Sequence, residues 1–120
     1  MKEVLVIGAG AAGMMAAIRA AQQGCKVTVL EKGRGPGTKL NITGKGRCNV
    51  TNDCDVDTLI RNVPRNGRFL FSAFHGFTSQ DAMAFFEGLG VPLKTERGQR
   101  VFPVSDRARD VSGALRERMH

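Results

Sequence analysis

The hydrophobic pattern changes twice within the first 30 residues, and each change predicts a new element. Residues 2–7 are apolar and rich in β-branched side chains, which predicts a short buried strand. Residues 11–23 are rich in alanine and place apolar side chains on one face, which predicts a helix that ends at Gly24. Residues 26–30 predict a second strand, which ends at Glu31. This order predicts a βαβ unit with parallel strands and a right-handed crossover.

The pattern breaks over residues 32–54, where a long loop is predicted. Five glycines fall between positions 33 and 46. Five basic residues lie within residues 32–47, and no acidic residue accompanies them. Because loops of this length are uncommon inside compact domains, the segment is expected to be functional or flexible.

Helical patterns return after this loop. Residues 55–63 predict a short helix that is stopped by Pro64, because proline cannot continue a helix. Thr78 is expected to cap a further helix, with Asp81 three positions later, and that helix ends near residues 88–90.

The remaining patterns predict a hairpin, a last helix and an aromatic cluster. Residues 91–96 and 100–104 read as two strands joined by a turn at residues 96–99. Ser105 is expected to cap the last helix, with Asp106 in its first turn. The apolar face of that helix comprises Ala108, Val111, Leu115 and Met119. Four aromatic residues are expected to pack in the core rather than to stack on nucleic-acid bases: Phe69, Phe71, Phe74 and Phe77.

Composition narrows the class of protein. The chain has 120 residues, enough for one domain, and its 42% hydrophobic content excludes a disordered tail. Lysine and arginine number 18 against 11 acidic residues, and the net charge of +7 suits an anionic partner. The apolar run over residues 4–18 is shorter than the roughly 20 residues of a spanning helix, so no membrane partner is expected. An odd count of 3 cysteines favours reduced thiols in the cytoplasm.

The turn between the first strand and the first helix carries a glycine fingerprint. Gly8, Gly10 and Gly13 have the G-x-G-x-x-G spacing, and Glu31 ends the next strand. These glycines permit a tight turn, let a pyrophosphate approach the backbone, and let the helix pack closely on the strand. The helix start, including Ala11 and Ala12, offers unpaired N–H groups to phosphate. A carboxylate at Glu31 binds ribose hydroxyls and disfavours a 2′-phosphate, so NAD or FAD is predicted rather than NADP.

A second glycine-rich motif covers residues 37–49 and follows Lys32. Its backbone could present several N–H groups to one anion, with Lys39 and Arg47 adding positive charge. A long basic loop directly after the acidic residue indicates a cofactor more extended than NAD. A solvated flexible loop is the alternative interpretation.

These motifs resemble a known family. EKGRGPGTKLNITGKGRCNVTN, together with VIGAGAAGMMAAI, is similar to the BaiN/YhiN-type flavoproteins, also described as aminoacetone-oxidase-like or NAD(FAD)-utilising dehydrogenases. The segments NGRFLFSAFHGF, FFEGLGVPLKTERGQRVFP and SDRARDV match as well, so the resemblance spans nearly the whole chain. It implies an FAD-binding protein with two dinucleotide-binding domains, often reduced by a nicotinamide donor, NAD(P)H.

The resemblance also implies a place for individual residues. Gly8, Gly10, Ala12 and Gly13 would face the pyrophosphate, and Glu31 the adenosine ribose. Four residues would lie along the cofactor towards the flavin: Gly46, Arg47, Cys48 and Asn49. Members of the family are several times longer, so residues 1–120 are expected to be the N-terminal part of an FAD-binding domain, with the remainder absent. The predicted fold is α/β: a Rossmann-like FAD/NAD(P)-binding βαβ unit with an added β-hairpin and helices, in an incomplete domain.

Several points stay open at this level. The segment is expected to be the FAD-binding N-terminal part of a flavin-dependent oxidoreductase that is reduced by NAD(P)H or oxidises a small organic substrate. The alternative is a non-catalytic dinucleotide-binding fragment. A redox pair of Cys48 and Cys54, as in flavin disulfide reductases, would need a low thiol pKa at Cys48, which nearby Arg47 and Lys45 could favour. A nucleic-acid face among the C-terminal arginines is not expected, because acidic residues alternate with them. No metal site is predicted, and the catalytic residues, the small-molecule substrate and the oligomeric state stay unassigned.

Overall fold

The computed structural model describes residues 1–120, which form two compact units. Residues Met1–Cys48 and Asp106–His120 form the first unit, and Asn49–Ser105 form the second. Sequence patterns did not predict this subdivision.

The first unit contains the predicted βαβ motif. Strand β1 (Glu3–Ile7), helix α1 (Ala11–Gln22) and strand β2 (Lys26–Leu30) follow one another along the chain. The two strands pair in parallel over their full length, from Glu3 opposite Lys26 to Ile7 opposite Leu30. The α/β fold and the parallel pairing are therefore confirmed.

The core of the first unit lies between α1 and the C-terminal helix α5 (Ala108–Met119). Met14 from α1 and Leu115 from α5 are the largest fully buried side chains of this core, at 0% and 1% exposure. The predicted apolar face of α5 is therefore used for packing, and Ser112 is buried on the same face. This packing fixes α5 against the helix that begins at the glycine fingerprint.

The start of α5 differs from the prediction. The helix begins at Ala108, so its N-cap residue is Arg107 and not Ser105. Asp106 has a φ of +60°, so the backbone makes a left-handed turn there and cannot continue directly into a helix. The prediction of a cap at Ser105 is therefore wrong.

The second unit contains an antiparallel sheet of three strands. Strands β4 (Leu93–Glu96) and β5 (Arg100–Pro103) form the predicted hairpin, which is confirmed. Strand β3 (Thr51–Asn52) pairs with the other edge of β5, so the sheet order is β3-β5-β4. Residues 32–54 therefore contain a strand, and they also contain 3₁₀ turns within Leu40–Gly46 that are interrupted by non-helical backbone at Thr43, Gly44 and Lys45. A strand of two residues is too short to show an alternating pattern in the sequence.

Two helices of the second unit, α2 and α4, begin at a residue whose side chain caps them. Helix α2 (Val56–Arg61) follows Asp55, whose carboxylate accepts the N–H of Thr58 at 2.8 Å. Helix α4 (Ser79–Gly88) begins with a reciprocal capping box between Thr78 and Asp81, as predicted. A 3₁₀ segment (Gly67–Leu70) and the short helix α3 (Phe71–Gly76) connect α2 to α4. No helix of the chain is both long enough and apolar enough to span a bilayer.

The expected aromatic core is wrong for three of its four members. Phe69 is 86% exposed, Phe71 is 53% exposed and Phe77 is 44% exposed. The hydrophobic pattern overestimated their burial because they lie on short helical turns without a sustained amphipathic period. Buried apolar side chains of this unit come instead from α4 and the sheet, among them Phe86, Val101 and Phe102.

Candidate functional site

The start of α1 is open to a ligand. Gly10 precedes the helix with φ −77° and ψ −173°, and no side chain caps it. The first helical hydrogen bond joins the N–H of Met14 to the carbonyl of Gly10 at 2.9 Å. The N–H groups of Ala11, Ala12 and Gly13 come before this bond, where the helix dipole is positive. A Cβ built on Gly10 meets nothing within 4 Å, so an anion has room to approach this backbone.

Two of the glycines are needed for the turn itself. Gly8 has a φ of +99°, and its N–H donates to the carbonyl of Leu30 at 2.7 Å. Gly13 lies so near this turn that an added Cβ would be 1.9 Å from the carbonyl oxygen of Gly8. Gly8 therefore permits the tight turn, and Gly13 permits the close packing, that the sequence predicted for them.

Glu31 lies directly beside this turn. One carboxylate oxygen accepts the N–H of Ala9 at 2.8 Å, and the other accepts the N–H of Gly33 at 2.6 Å. These two backbone hydrogen bonds lower the pKa of Glu31 from its ordinary value. The carboxylate is therefore ionised at neutral pH, and each oxygen keeps a lone pair that can accept a hydroxyl.

Two clefts meet at Glu31. The first has a volume of about 380 Å³ and is lined by Ala9, Gly10, Glu31, Gly33, Arg34, Gly35, Thr38 and Lys39. The second, of about 410 Å³, lies at the carboxyl ends of the parallel strands and is lined by Ile7, Gly8, Leu30, Glu31 and Lys32. Ligands of open α/β sheets bind at this end of the strands. The fold thus brings the fingerprint, the acidic residue and two predicted lysines to one place.

Two lining side chains were not assigned from the sequence. Arg34 and Thr38 border the first cleft beside Lys39. The basic loop that contains Arg34 indicated an anion site, but the spacing of its basic residues does not distinguish Arg34 from the others.

Residues 46–49 do not line either cleft. The N–H groups of Arg47 and Cys48 donate within the chain, to the carbonyls of Gly44 at 3.1 Å and Thr43 at 3.0 Å. The guanidinium of Arg47 bonds Asp106, with nitrogen–oxygen distances of 2.9 and 2.8 Å. In this structure Arg47 therefore ties the end of the glycine-rich loop to the turn before α5.

Asn49 belongs to the second unit and supports its sheet. The side-chain amide donates to the carbonyls of Thr51 at 2.9 Å and Val101 at 3.1 Å. These bonds hold the chain beside β5 where β3 begins. The roles of Gly46, Arg47, Cys48 and Asn49 along a cofactor stay predictions.

Cys48 is not the activated thiol that a redox pair would need. Its side chain is 1% exposed, and burial raises the pKa of the Cys48 thiol. Burial and the nearby charges of Asp55 and Asp53 raise the pKa of Cys54 as well. The suggestion that neighbouring basic residues lower the pKa of Cys48 is wrong, since desolvation dominates there.

We expect Cys48 to react slowly with iodoacetamide in the folded protein. A buried thiol with a raised pKa holds little thiolate, so alkylation should be at least about tenfold slower than in urea. Peptide mass spectrometry measures the rate for each cysteine, and the half-buried Cys25 serves as the comparison. Equal rates for Cys48 in the folded and unfolded protein would contradict its buried placement.

Comparisons with known proteins agree with this geometry. The family described as "HI0933-like protein Rossmann domain" matches residues 2–120. The 3-dehydro-bile acid delta(4,6)-reductase of Clostridium scindens is 36% identical over 114 residues, covering 92% of this chain and 27% of the relative. A ribosomal RNA dihydrouridine synthase of Haemophilus influenzae is 36% identical over 98 residues, covering 81% of this chain and 24% of the relative. The chain thus spans about a quarter of the length of these two relatives.

A shorter match covers a third of this chain. The dihydrolipoyl dehydrogenase of Geobacillus stearothermophilus is 60% identical over 40 residues, which is 33% of this chain and 8% of the relative. So short a match supports the interpretation that this segment binds a dinucleotide, but it does not support a shared reaction.

Proposed function

The chain belongs to the HI0933-like protein Rossmann domain family, and on that premise we propose that it is the FAD-binding part of a flavin-dependent oxidoreductase. The observation that carries the proposal is the meeting of the uncapped start of α1 with the ionised Glu31 at the carboxyl ends of two parallel strands. One feature binds phosphate and the other binds ribose hydroxyls, and a dinucleotide contains both.

The residues present fit this cofactor. The open space at Gly10 leaves the N–H groups of Ala11, Ala12 and Gly13 accessible to a pyrophosphate. Glu31 would accept the ribose hydroxyls, and Lys39 with Arg34 would add positive charge beside the phosphates. When bound, FAD would supply the transfer of two electrons. The residues of this chain hold and orient it, and none of them is proposed as an acid or a base.

For the intact protein we propose the reduction of a small organic molecule, with NAD(P)H as the electron donor. The name of the bile acid reductase describes such a reduction, and that relative matches nearly all of this chain. Adding NADH or NADPH to the purified intact protein without oxygen should bleach its flavin absorbance. A bound flavin that neither nucleotide bleaches would contradict the donor, and it would favour a non-catalytic dinucleotide-binding role for this segment.

A second candidate is the reduction of a uridine in ribosomal RNA, which the name of the Haemophilus influenzae relative indicates. One observation favours it: Phe69 is 86% exposed and lines a depression with Arg68 and Asn66. Exposed aromatic rings stack on bases, and arginine pairs with phosphate. Salt-sensitive binding of ribosomal RNA by the intact protein would support this candidate, and no binding at low salt would remove it. Until then the absence of a nucleic-acid partner stays a prediction.

A further inference from the structure

Gly37 is the point where the glycine-rich loop meets the helical core. It is buried, has a φ of +77°, and lies between the side chains of Ser112 and Met14. A Cβ at this position would be 2.9 Å from the Cβ of Ser112 and 3.4 Å from the Cε of Met14. The N–H of Gly37 donates to the carbonyl of Ala9 at 2.8 Å, which joins the loop to the turn before α1.

Ser112 on α5 is linked to this point through Asn41. Its hydroxyl donates to the side-chain oxygen of Asn41 at 2.6 Å, and the N–H of Asn41 donates to the carbonyl of Gly37 at 3.0 Å. The hydroxyl also lies 3.4 Å from the carbonyl of Arg109, which is a much longer contact. Ser112 is 7% exposed, so the loss of Asn41 as a partner would leave its buried hydroxyl with only the long contact to the carbonyl of Arg109.

The hydrogen bonds continue from Gly37 into the cleft. Ala9, which accepts from Gly37, donates its own N–H to Glu31 at 2.8 Å. One connected series therefore runs from Ser112 through Asn41, Gly37 and Ala9 to the carboxylate of Glu31. Neither Ser112 nor Asn41 lines the cleft, whereas Ala9 and Glu31 do.

We propose that Ser112 and Asn41 are positioning residues for the dinucleotide cleft. They hold residues 33–39, which form one wall of the cleft, in place over the start of α1 before a ligand binds. A wall that is ordered in advance raises affinity because less conformational entropy is lost on binding. This inference rests on the proposed function, since it takes FAD as the ligand of the cleft.

The test measures FAD affinity of the intact protein after its flavin has been removed, by quenching of flavin fluorescence. Ser112→Ala and Asn41→Ala should each raise the Kd about fivefold, the value of one hydrogen bond. The double variant should bind FAD no more weakly than either single variant, because the two substitutions remove the same hydrogen bond. Asn41→Asp keeps the acceptor oxygen and should stay within about twofold of the wild type.

Ser79→Ala is the matched control. Ser79 is the other buried serine, at 3% exposure, and its hydroxyl accepts from Thr51 at 3.2 Å in the second unit. This variant should lose thermal stability and keep its FAD affinity.

An unchanged Kd in both Ser112→Ala and Asn41→Ala, with a lowered Tm, would mean a purely structural role and would overturn the inference. If Ser112→Ala fails to fold, the comparison of Asn41→Ala with Asn41→Asp decides. A wild-type protein that binds no FAD would instead overturn the proposed function, and the inference with it.

Discussion

Replacing Gly13 with alanine is expected to lower the free energy of unfolding by about 3 kcal/mol, at the upper end for an overpacked site. The new Cβ would be 1.9 Å from the carbonyl oxygen of Gly8, and neither backbone segment can move without disturbing the turn. Because that turn forms the start of the cleft, FAD binding should be lost together with stability. Urea denaturation of the intact protein and titration with FAD measure the two effects.

Gly113→Ala provides the control for this substitution. Gly113 also lies inside a helix, but a Cβ built on it meets nothing within 4 Å. Alanine should therefore stabilise α5 by about 0.5–1 kcal/mol, since glycine is a poor helix former. A Gly13→Ala protein as stable as the wild type would show that helix and strand do not approach as closely as the structure has them.

Replacing Glu31 with alanine is expected to weaken FAD binding by about 100-fold. The backbone N–H groups of Ala9 and Gly33 would lose the acceptor that orders the turn, and the ribose would lose a charged partner. The expected loss of about 100-fold combines a disordered turn with the loss of charge-assisted hydrogen bonds to the ribose. Glu31→Gln, which keeps one acceptor oxygen, should show a loss of about tenfold.

A control variant and the pH dependence of FAD affinity make the test of Glu31 more specific. Glu3→Ala removes an exposed carboxylate that pairs loosely with Lys26 at 3.9 Å, and it should leave FAD affinity unchanged. Because the pKa of Glu31 is lowered, its carboxylate stays ionised as the pH falls. This group should therefore cause no loss of affinity down to about pH 5, since the ordinary pKa of glutamate is about 4.3. Wild-type affinity in Glu31→Ala would contradict the assignment of Glu31 to the ribose.

Local sequence patterns were sufficient to predict the elements that form through interactions between residues close together in the chain. The βαβ unit, the β4–β5 hairpin and the capping box at Thr78 each have a periodicity or a fixed spacing in the sequence. The two-residue strand β3 has neither, because it is defined by its partner β5. The exposed position of Phe69 and the late start of α5 likewise depend on tertiary geometry. A periodic pattern of residues in the sequence does not predict such geometry.

The same division applies to the candidate site. The roles of Gly8 and Gly13 in the turn followed from the spacing of the fingerprint, whereas the hydrogen bonds of Glu31 to Ala9 and Gly33 were not predicted. The hydrogen bond from Ser112 to Asn41 joins residues 71 positions apart, and that of Arg47 with Asp106 joins residues 59 apart. The buried state of Cys48 also depends on chain packing. Contacts at such separations have no local signature, so the sequence predicted the glycine turn better than the hydrogen bonds that support the cleft.

The most direct test of FAD binding is the flavin content of the intact protein, purified without added cofactor. We expect a yellow protein that releases FAD, identified by chromatography, in a ratio near one per chain when it is denatured. If the preparation is colourless and takes up FAD no better than the Gly13→Ala variant does, the central claim is contradicted. Release of FMN instead of FAD would contradict it as well, because FMN has neither the pyrophosphate nor the adenosine ribose that we propose as ligands of this site.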